Sequence, residues 1–347
     1  MNLFFIVYVC ILTYRICLPL IVGKRVDKKN LGVVVIGRNE GERLKKCLNS
    51  VVHLISAIVY VDSGSSDSSV DFAKSIGVNV VDLDMSQHFT AARARNAGFN
   101  HLLDCYPDIE YVQFVDGDCE FIEGWFEQAL DSFLSVNQQD KLAVVFGRRK
   151  ERFPEASVYN HQADRDWLIP AGYTNTCGGD ALMSVQALKE MQGYDASLIA
   201  GEEPDLCLRL RRAGWKILSI SADMTWHDSD LHYISQWYKR GVRTGHAFAE
   251  VCWINRKFSE HYWRKHNVSI FGWGILLPIV IVLLGFLQTS FLGLFLIYPL
   301  QVVRIAKKEG WVYGYFCVLV KFPQAVGQIK YFLNHIFGKK SKLIEYK

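Results

Sequence analysis

The chain has 347 residues, enough for one large domain or two of ordinary size, and half of them are hydrophobic. Its formal net charge of +4 is too small to argue for a nucleic-acid surface, so no nucleic-acid partner is expected. Nine cysteines, scattered and without a C-x-x-C pair, argue against a disulfide framework and for a reducing compartment.

An apolar run over residues 3–22 opens the chain and is long enough to cross a bilayer. Arg15 interrupts it. No basic residue precedes it, whereas Lys24, Arg25, Lys28 and Lys29 follow. A cleaved leader has the reverse order of charge. Residues 1–24 therefore read as a membrane anchor that leaves the following domain cytoplasmic, with an interfacial helix as the alternative.

From residue 31 to about 220, short Val- and Ile-rich runs alternate with stretches of helical period. Strands are predicted at 31–36, 57–61, 78–83, 111–115 and 142–146, and helices at 40–52, 66–76, 91–103 and 123–135. This alternation predicts an α/β fold with a mostly parallel sheet covered by helices on both faces. A second apolar segment, 270–303, is broken by Pro278 and by Gln288-Thr289-Ser290 and has basic clusters at both ends. Both ends should be cytoplasmic, which favours a shallow or bent hairpin over a single tilted helix. Residues 311–337 carry Lys321, Pro323 and Lys330 among aromatics, as an interfacial helix does. The predicted division is an anchor at 1–24, a catalytic-type domain at 31–250 and membrane-associated helices at 251–347.

The strand ends carry the chemistry. The first strand runs into Gly37-Arg38-Asn39-Glu40, a turn whose backbone N–H groups could hold part of a nucleotide, or a plain connection capped by Asn39. The second ends at Asp62, ahead of Ser63-Gly64-Ser65. A carboxylate there can accept hydrogen bonds from a base or a ribose. Arg93 and Arg95, early in a helix, could meet a diphosphate or form a solvated basic face. The fourth strand ends in Asp116-Gly117-Asp118. Two carboxylates one residue apart at the carboxyl edge of a sheet suit Mg²⁺ or Mn²⁺, although the tripeptide is also a common turn.

In this order and spacing, these strand ends resemble the nucleotide-binding half of the family 2 glycosyltransferases, which have the GT-A fold. The likeness covers roughly residues 31–250. Cys177-Gly178-Gly179-Asp180 resembles the family's small-residue segment beside the donor sugar, and Gln192-Gly193-Tyr194-Asp195 its Gly-Gly-Phe-Asp turn. Gly201-Glu202-Glu203-Pro204-Asp205 resembles its Glu-Asp motif, and Thr225-Trp226-His227 the later His that often completes the metal shell. Some features depart from the pattern. Asp62-Ser63-Gly64-Ser65 replaces the common Asp-Asp-Gly-Ser, and Glu203 replaces the motif's Asp. The Gln-x-x-Arg-Trp motif of processive synthases is missing, because Gln236-Trp237-Tyr238-Lys239-Arg240 has a different spacing.

The resemblance implies a membrane-associated, inverting enzyme that transfers one sugar per encounter. Its donor would be a nucleotide-diphosphate sugar, with UDP favoured, and its acceptor a lipid, a lipid-linked group or a glycan. It implies a Mn²⁺ or Mg²⁺ ion on Asp118 and His227 with Asp116, and donor contacts from Gly37, Asn39, Glu40, Asp62, Arg93, Arg95, Asp116 and Gly179. Glu203 would be the base, with Glu202 as its rival. Arg240, Arg243 and His246 either touch phosphate or acceptor or form a basic membrane face. A nucleotidyltransferase and a non-catalytic membrane adaptor of the same fold are the alternatives.

Overall fold

The computed structural model describes residues 28–136, 140–258, 260 and 262–339; the anchor expected at 1–24 lies outside the described residues. The first half alternates as expected: β1 (Leu31–Gly37), α1 (Glu42–Asn49), β2 (Ala57–Asp62), α2 (Ser69–Ser75), β3 (Asn79–Asp82), α3 (Ala91–Cys105) and β4 (Tyr111–Asp116). These four strands pair in parallel in the order β3-β2-β1-β4. β1 and β2 are buried on both faces, as strands between helical layers must be. Gly98 lets α3 lie hard against the sheet, because a Cβ there would stand 2.5 Å from Val34 Cγ1.

Beyond β4 the sheet is mixed rather than parallel. The chain adds β5 (Cys119–Phe121), α4 (Trp125–Ser135), β6 (Leu142–Glu151), α5 (Val158–Asp166), β7 (Gly172–Tyr173) and β8 (Ala181–Ser184). It continues through α6 (Val185–Glu190), α7 (Glu202–Arg212) and β9 (Lys216–His227). The nine-stranded sheet runs β3-β2-β1-β4-β8-β6-β9-β5, with β7 beside β9. β8 is antiparallel to both β4 and β6, and β5 and β7 are antiparallel to β9; β6 and β9 run parallel. β8 has four residues and β9 follows a helix without an apolar run, so neither shows the continuous Val/Ile signature.

Then come α8 (Ile234–Ile254), α9 (Arg264–Phe271), a π-turn at Gly272–Leu276 and α10 (Leu277–Leu287). The stretch Arg264–Leu287 is one helix of 24 residues, and Thr289–Glu309 is a second of 21; both are long and apolar enough to cross a membrane. The second begins as a 3₁₀ segment and ends as α11 (Ile297–Glu309). Pro278 does not break the first helix: it falls in the first turn after the π-turn. The chain reverses instead at Gln288, which is extended. Leu292 then folds back on Gly285, and Tyr298 donates to the Trp273 carbonyl at 2.6 Å, so the two helices form a hairpin.

The described residues close with α12 (Trp311–Leu319) and α13 (Lys321–Ile336). α13 is not a free surface helix. It packs along α8 where a Cβ at Gly245 would lie 2.0 Å from the Gln324 carbonyl, and one at Gly327 2.1 Å from the Val242 carbonyl. Its other side exposes Ile329, Phe332, Leu333 and Ile336. The boundary expected at 250/251 falls inside α8, which continues to Ile254.

Candidate active site

β5 pairs with β9 in the register Cys119↔His227, which brings the residue after the Asp116-Gly117 turn beside the end of β9. His227 Nε2 consequently lies 3.4 Å from Asp118 Oδ2, with both side chains buried. The other ring nitrogen, Nδ1, lies 3.4 Å from Glu151 Oε2 and 3.2 Å from Ser229 Oγ. Glu151 ends β6 and is 2% exposed. It also accepts from the Ser229 N–H at 3.2 Å and from the Ser229 hydroxyl. Burial pushes the Glu151 carboxyl up, but the hydrogen bonds from His227 and Ser229 outweigh it and hold the group below the usual range. A neutral His227 ring that donates from Nδ1 to Glu151 turns a lone pair at Nε2 toward a carboxylate. Two lone pairs 3.4 Å apart need a proton or a cation between them. Asp118, Cys119 and His227 are the described residues whose ligand atoms lie within 4.8 Å of one another. The Asp118 carboxylate suits a hard cation such as Mn²⁺ or Mg²⁺, and burial pushes the Cys119 thiol up so that it stays protonated, which leaves the carboxylate and the imidazole as the donors for the expected ion.

Arg95 is the second centre. It is 2% exposed and reaches up from α3 under the end of β4. Its Nη2 donates to Asp116 Oδ1 at 2.9 Å; its Nη1 lies 2.8 Å from Glu202 Oε1 and 3.0 Å from Glu203 Oε1. The guanidinium stacks over the Tyr194 ring at 5.7 Å. Tyr194 is held in place by Asn96, whose amide exchanges hydrogen bonds of 2.8 and 2.9 Å with the Tyr194 backbone. The two glutamates open α7, where the helix dipole favours negative charge. Both converge on the same nitrogen of Arg95. Burial and the neighbouring Glu202 push the Glu203 carboxyl up to about 7 against the pull of Arg95. Asp116 goes the other way: burial raises it, but Arg95 and Arg149 prevail and hold it below the carboxylate range. Gly179 lies over this cluster. A Cβ there would be 2.6 Å from Arg95 Nη2 and 3.1 Å from Glu203 Oε1.

Two charged groups here, one buried and one partly buried, were not among the sequence candidates. Glu151 is one and Arg149 the other. Arg149 Nη2 lies 3.4 Å from Asp116 and 3.9 Å from Asp118, and its Nε lies 3.6 Å from Asp180. Trp167 lies against this guanidinium at 4.9 Å and meets His227 edge-on at 4.6 Å. Asp180 is fully held, accepting from Thr225 Oγ1 at 2.8 Å and from the Asp116 N–H at 3.3 Å. The available signal was charge at a strand end: Arg148-Arg149-Lys150-Glu151 follows the apolar run 142–146, as Asp116 follows 111–115.

The residues expected to hold the nucleotide fare unevenly. Asn39 accepts from the Ser66 N–H at 2.7 Å and donates its own N–H to Ser65 Oγ at 2.8 Å, so it ties the β1 and β2 turns together. Glu40 pairs with Arg43 at 2.9 Å. Asp62 is buried, accepting from Tyr60 OH and from the Gly64 and Ser65 N–H groups at 2.7–3.0 Å, so it builds its own turn. Arg93 turns away from the carboxylates and donates to the Gln87, His88 and Asp84 carbonyls. The arginine that meets the acidic cluster is Arg95, two positions on.

A cavity of about 760 Å³ opens at these strand ends. Gly37, Asn39, Glu40, Arg95, Asp116 and Asp118 line it on the sheet side, with Glu202 and Glu203. Arg240, Arg243 and Thr244 of α8, with Phe248 and Trp263, form the facing wall. His246 is buried instead against Tyr331 of α13.

Residues 32–191 match the family model described as Glycosyl transferase family 2. The Pre-mycofactocin glycosyltransferase of Mycobacterium tuberculosis is 25% identical over 210 residues, covering 58% of this chain and 43% of that protein. The Succinoglycan biosynthesis protein ExoA of Rhizobium meliloti is 22% identical over 184 residues, covering 50% of this chain and 54% of that one. The chain thus spans about half the length of the curated relatives it matches. The crystal structure of S. aureus TarS 1-349 superposes with a TM-score of 0.48 at 13% identity, covering 89% of this chain and 92% of that one.

Proposed function

We propose, for a chain whose residues 32–191 match the Glycosyl transferase family 2 model, an inverting transfer of one sugar from a nucleotide-diphosphate donor to an acceptor at a membrane. That match supports a glycosyltransferase acting on nucleotide sugars. The mechanism, the metal and the acceptor are our reading. The observation that supports it best is the convergence of Asp116 with Glu202 and Glu203 on one buried Arg95, in the cavity that also holds Asp118.

In this reading Asp118 and His227 hold a divalent cation, with Asp116 beside them. The cation, when bound, neutralises the charge that develops on the leaving diphosphate. Glu151 fixes the His227 ring so that Nε2 faces Asp118. Arg95 fixes Asp116 and both glutamates in one frame, which sets the distance between the donor and base sides of the cavity. Glu203 takes the proton from the attacking hydroxyl. An acidity near 7 suits a general base at neutral pH, since it is both available and strong enough to accept. Glu202, more deeply buried and bonded to Arg95, orients Glu203. Gly179 leaves space above Arg95 for the sugar.

The acceptor side is α8, and Trp263 at its edge is followed directly by the apolar helix from Arg264. A groove of about 580 Å³ lies along that helix, basic at Arg264 and Lys265 and apolar at Val268, Trp273 and Leu277. This continuity favours a lipid or lipid-linked acceptor on the cytoplasmic face, with the hairpin in the membrane. A donor screen in Mn²⁺ or Mg²⁺ tests the reading by release of nucleoside diphosphate. Release of pyrophosphate from a nucleoside triphosphate instead would assign nucleotidyl transfer, and release of neither a non-catalytic role.

A further inference from the structure

Arg149 places a fixed positive charge inside the acidic cluster. It sits on β6, has 15% of its side chain exposed, and is hemmed in by Asp116, Asp118 and Asp180 at 3.4–3.9 Å on one side and by Trp167 on the other. The buried Asp118 and Asp180 and the partly exposed Asp116 repel one another without a counter-charge, and Arg149 supplies it. Arg95 is already engaged with Glu202, Glu203 and the other oxygen of Asp116. A divalent cation entering between Asp118 and His227 therefore meets a guanidinium that already shares the Asp118 carboxylate, at 3.9 Å. A guanidinium and a cation that share one carboxylate, in a site largely shielded from water, oppose each other. A diphosphate reverses this balance, because its oxygens carry negative charge and pair with guanidinium forks.

We propose that Arg149 makes uptake of the divalent cation conditional on the diphosphate. The protein alone holds the ion weakly, and ion and diphosphate enter as one unit. Arg149 is a positioning residue, and its role rests on the reading of Asp118 and His227 as the cation's holders. Removal of its charge frees the carboxylates to bind the ion unaided.

The test is equilibrium dialysis of the full-length protein in detergent against Mn²⁺ alone and against Mn²⁺ with inorganic pyrophosphate. Expected is retention at least about tenfold tighter with pyrophosphate in the wild type. Arg149→Met should bind Mn²⁺ alone at least about tenfold tighter than wild type and lose most of the pyrophosphate effect. Arg149→Lys, which keeps the charge, should retain it. Equal Mn²⁺ affinity of the wild type with and without pyrophosphate overturns the proposal, as does a folded Arg149→Met that binds Mn²⁺ no tighter alone. Should Arg149→Met not fold, the wild type and Arg149→Lys decide: loss of conditional binding in Arg149→Lys also overturns it. Asp118→Ala separates the two layers. If it retains Mn²⁺ like the wild type in both baths, the cation-site reading itself is wrong.

Discussion

A Cβ on residue 179 would stand 2.6 Å from Nη2 of Arg95, closer than any relaxed contact. Arg95 cannot retreat, because Asp116, Glu202 and Glu203 hold its two terminal nitrogens. Gly179→Ala should therefore displace the clamp and lower turnover by at least about tenfold, the equivalent of about 1.4 kcal/mol in the barrier. Gly178→Ala is the control, since a Cβ there meets nothing within 4 Å. Equal rates for the two variants would remove Arg95 geometry from the mechanism.

The base assignment predicts a pH profile. With Glu203 at about 7, kcat/KM should rise as pH climbs through 7 and level off above it. Glu203→Gln should lose roughly a hundredfold and flatten the profile, while the donor still binds. Glu202→Gln should cost less and keep the slope. The reverse ranking exchanges their roles. The same shift acts on stability with the opposite sign. A carboxyl raised in the folded state binds its proton more tightly than in the unfolded chain, so its stabilising contribution is present below the unfolded value, 4.5, and is lost as pH rises toward 7. Thermal melts of wild type and Glu203→Gln across that window measure it.

Glu151 touches no substrate in the proposed mechanism, yet it orients His227. Glu151→Gln should weaken Mn²⁺ affinity about 10–100-fold, measured as the Mn²⁺ concentration giving half-maximal rate. Asp118→Ala or excess chelator should remove nearly all transfer. Full activity under chelator ends the metal-dependent reading.

The hairpin predicts that the full chain sediments with membranes and needs detergent for release. A fragment ending at residue 250 lacks the hairpin but also strips α13 from α8, so its exposed α8 face should make it aggregate. Gly245→Leu isolates that packing: it drives a side chain into the Gln324 backbone, and a melting temperature unchanged from wild type would show the two helices are not packed this way.

What was legible in the sequence follows the sheet. β1 and β2 carry continuous apolar runs and β4 one interrupted only by Gln113, and the ends of these three display Asn39, Asp62 and the Asp116/Asp118 pair in plain order. The second half hides its strands. β9 alternates in burial, and its meeting with β5 is a long-range pairing that no local pattern encodes. Arg93 and Arg95 looked equivalent, but two positions along a helix are about 200° apart on its circumference, so only Arg95 faces the sheet end. Arg149 and Glu151 stood at a strand end like the aspartates, yet flanking charges of both signs made the run look solvated.

The small residues between α8 and α13 have a further consequence. Arg240 and Arg243 stand on the same helix that Gly245 seats against Gln324, so the wall facing the glutamates is braced by the last described helix rather than by the sheet. The reaction chamber is assembled from two distant stretches of polypeptide. In the proposed reaction the strand ends serve the donor and α8 the acceptor, so exchanging only the sheet domain with a relative would leave the acceptor side behind. Inheritance of acceptor preference would then track the C-terminal helices, and donor preference the strand ends.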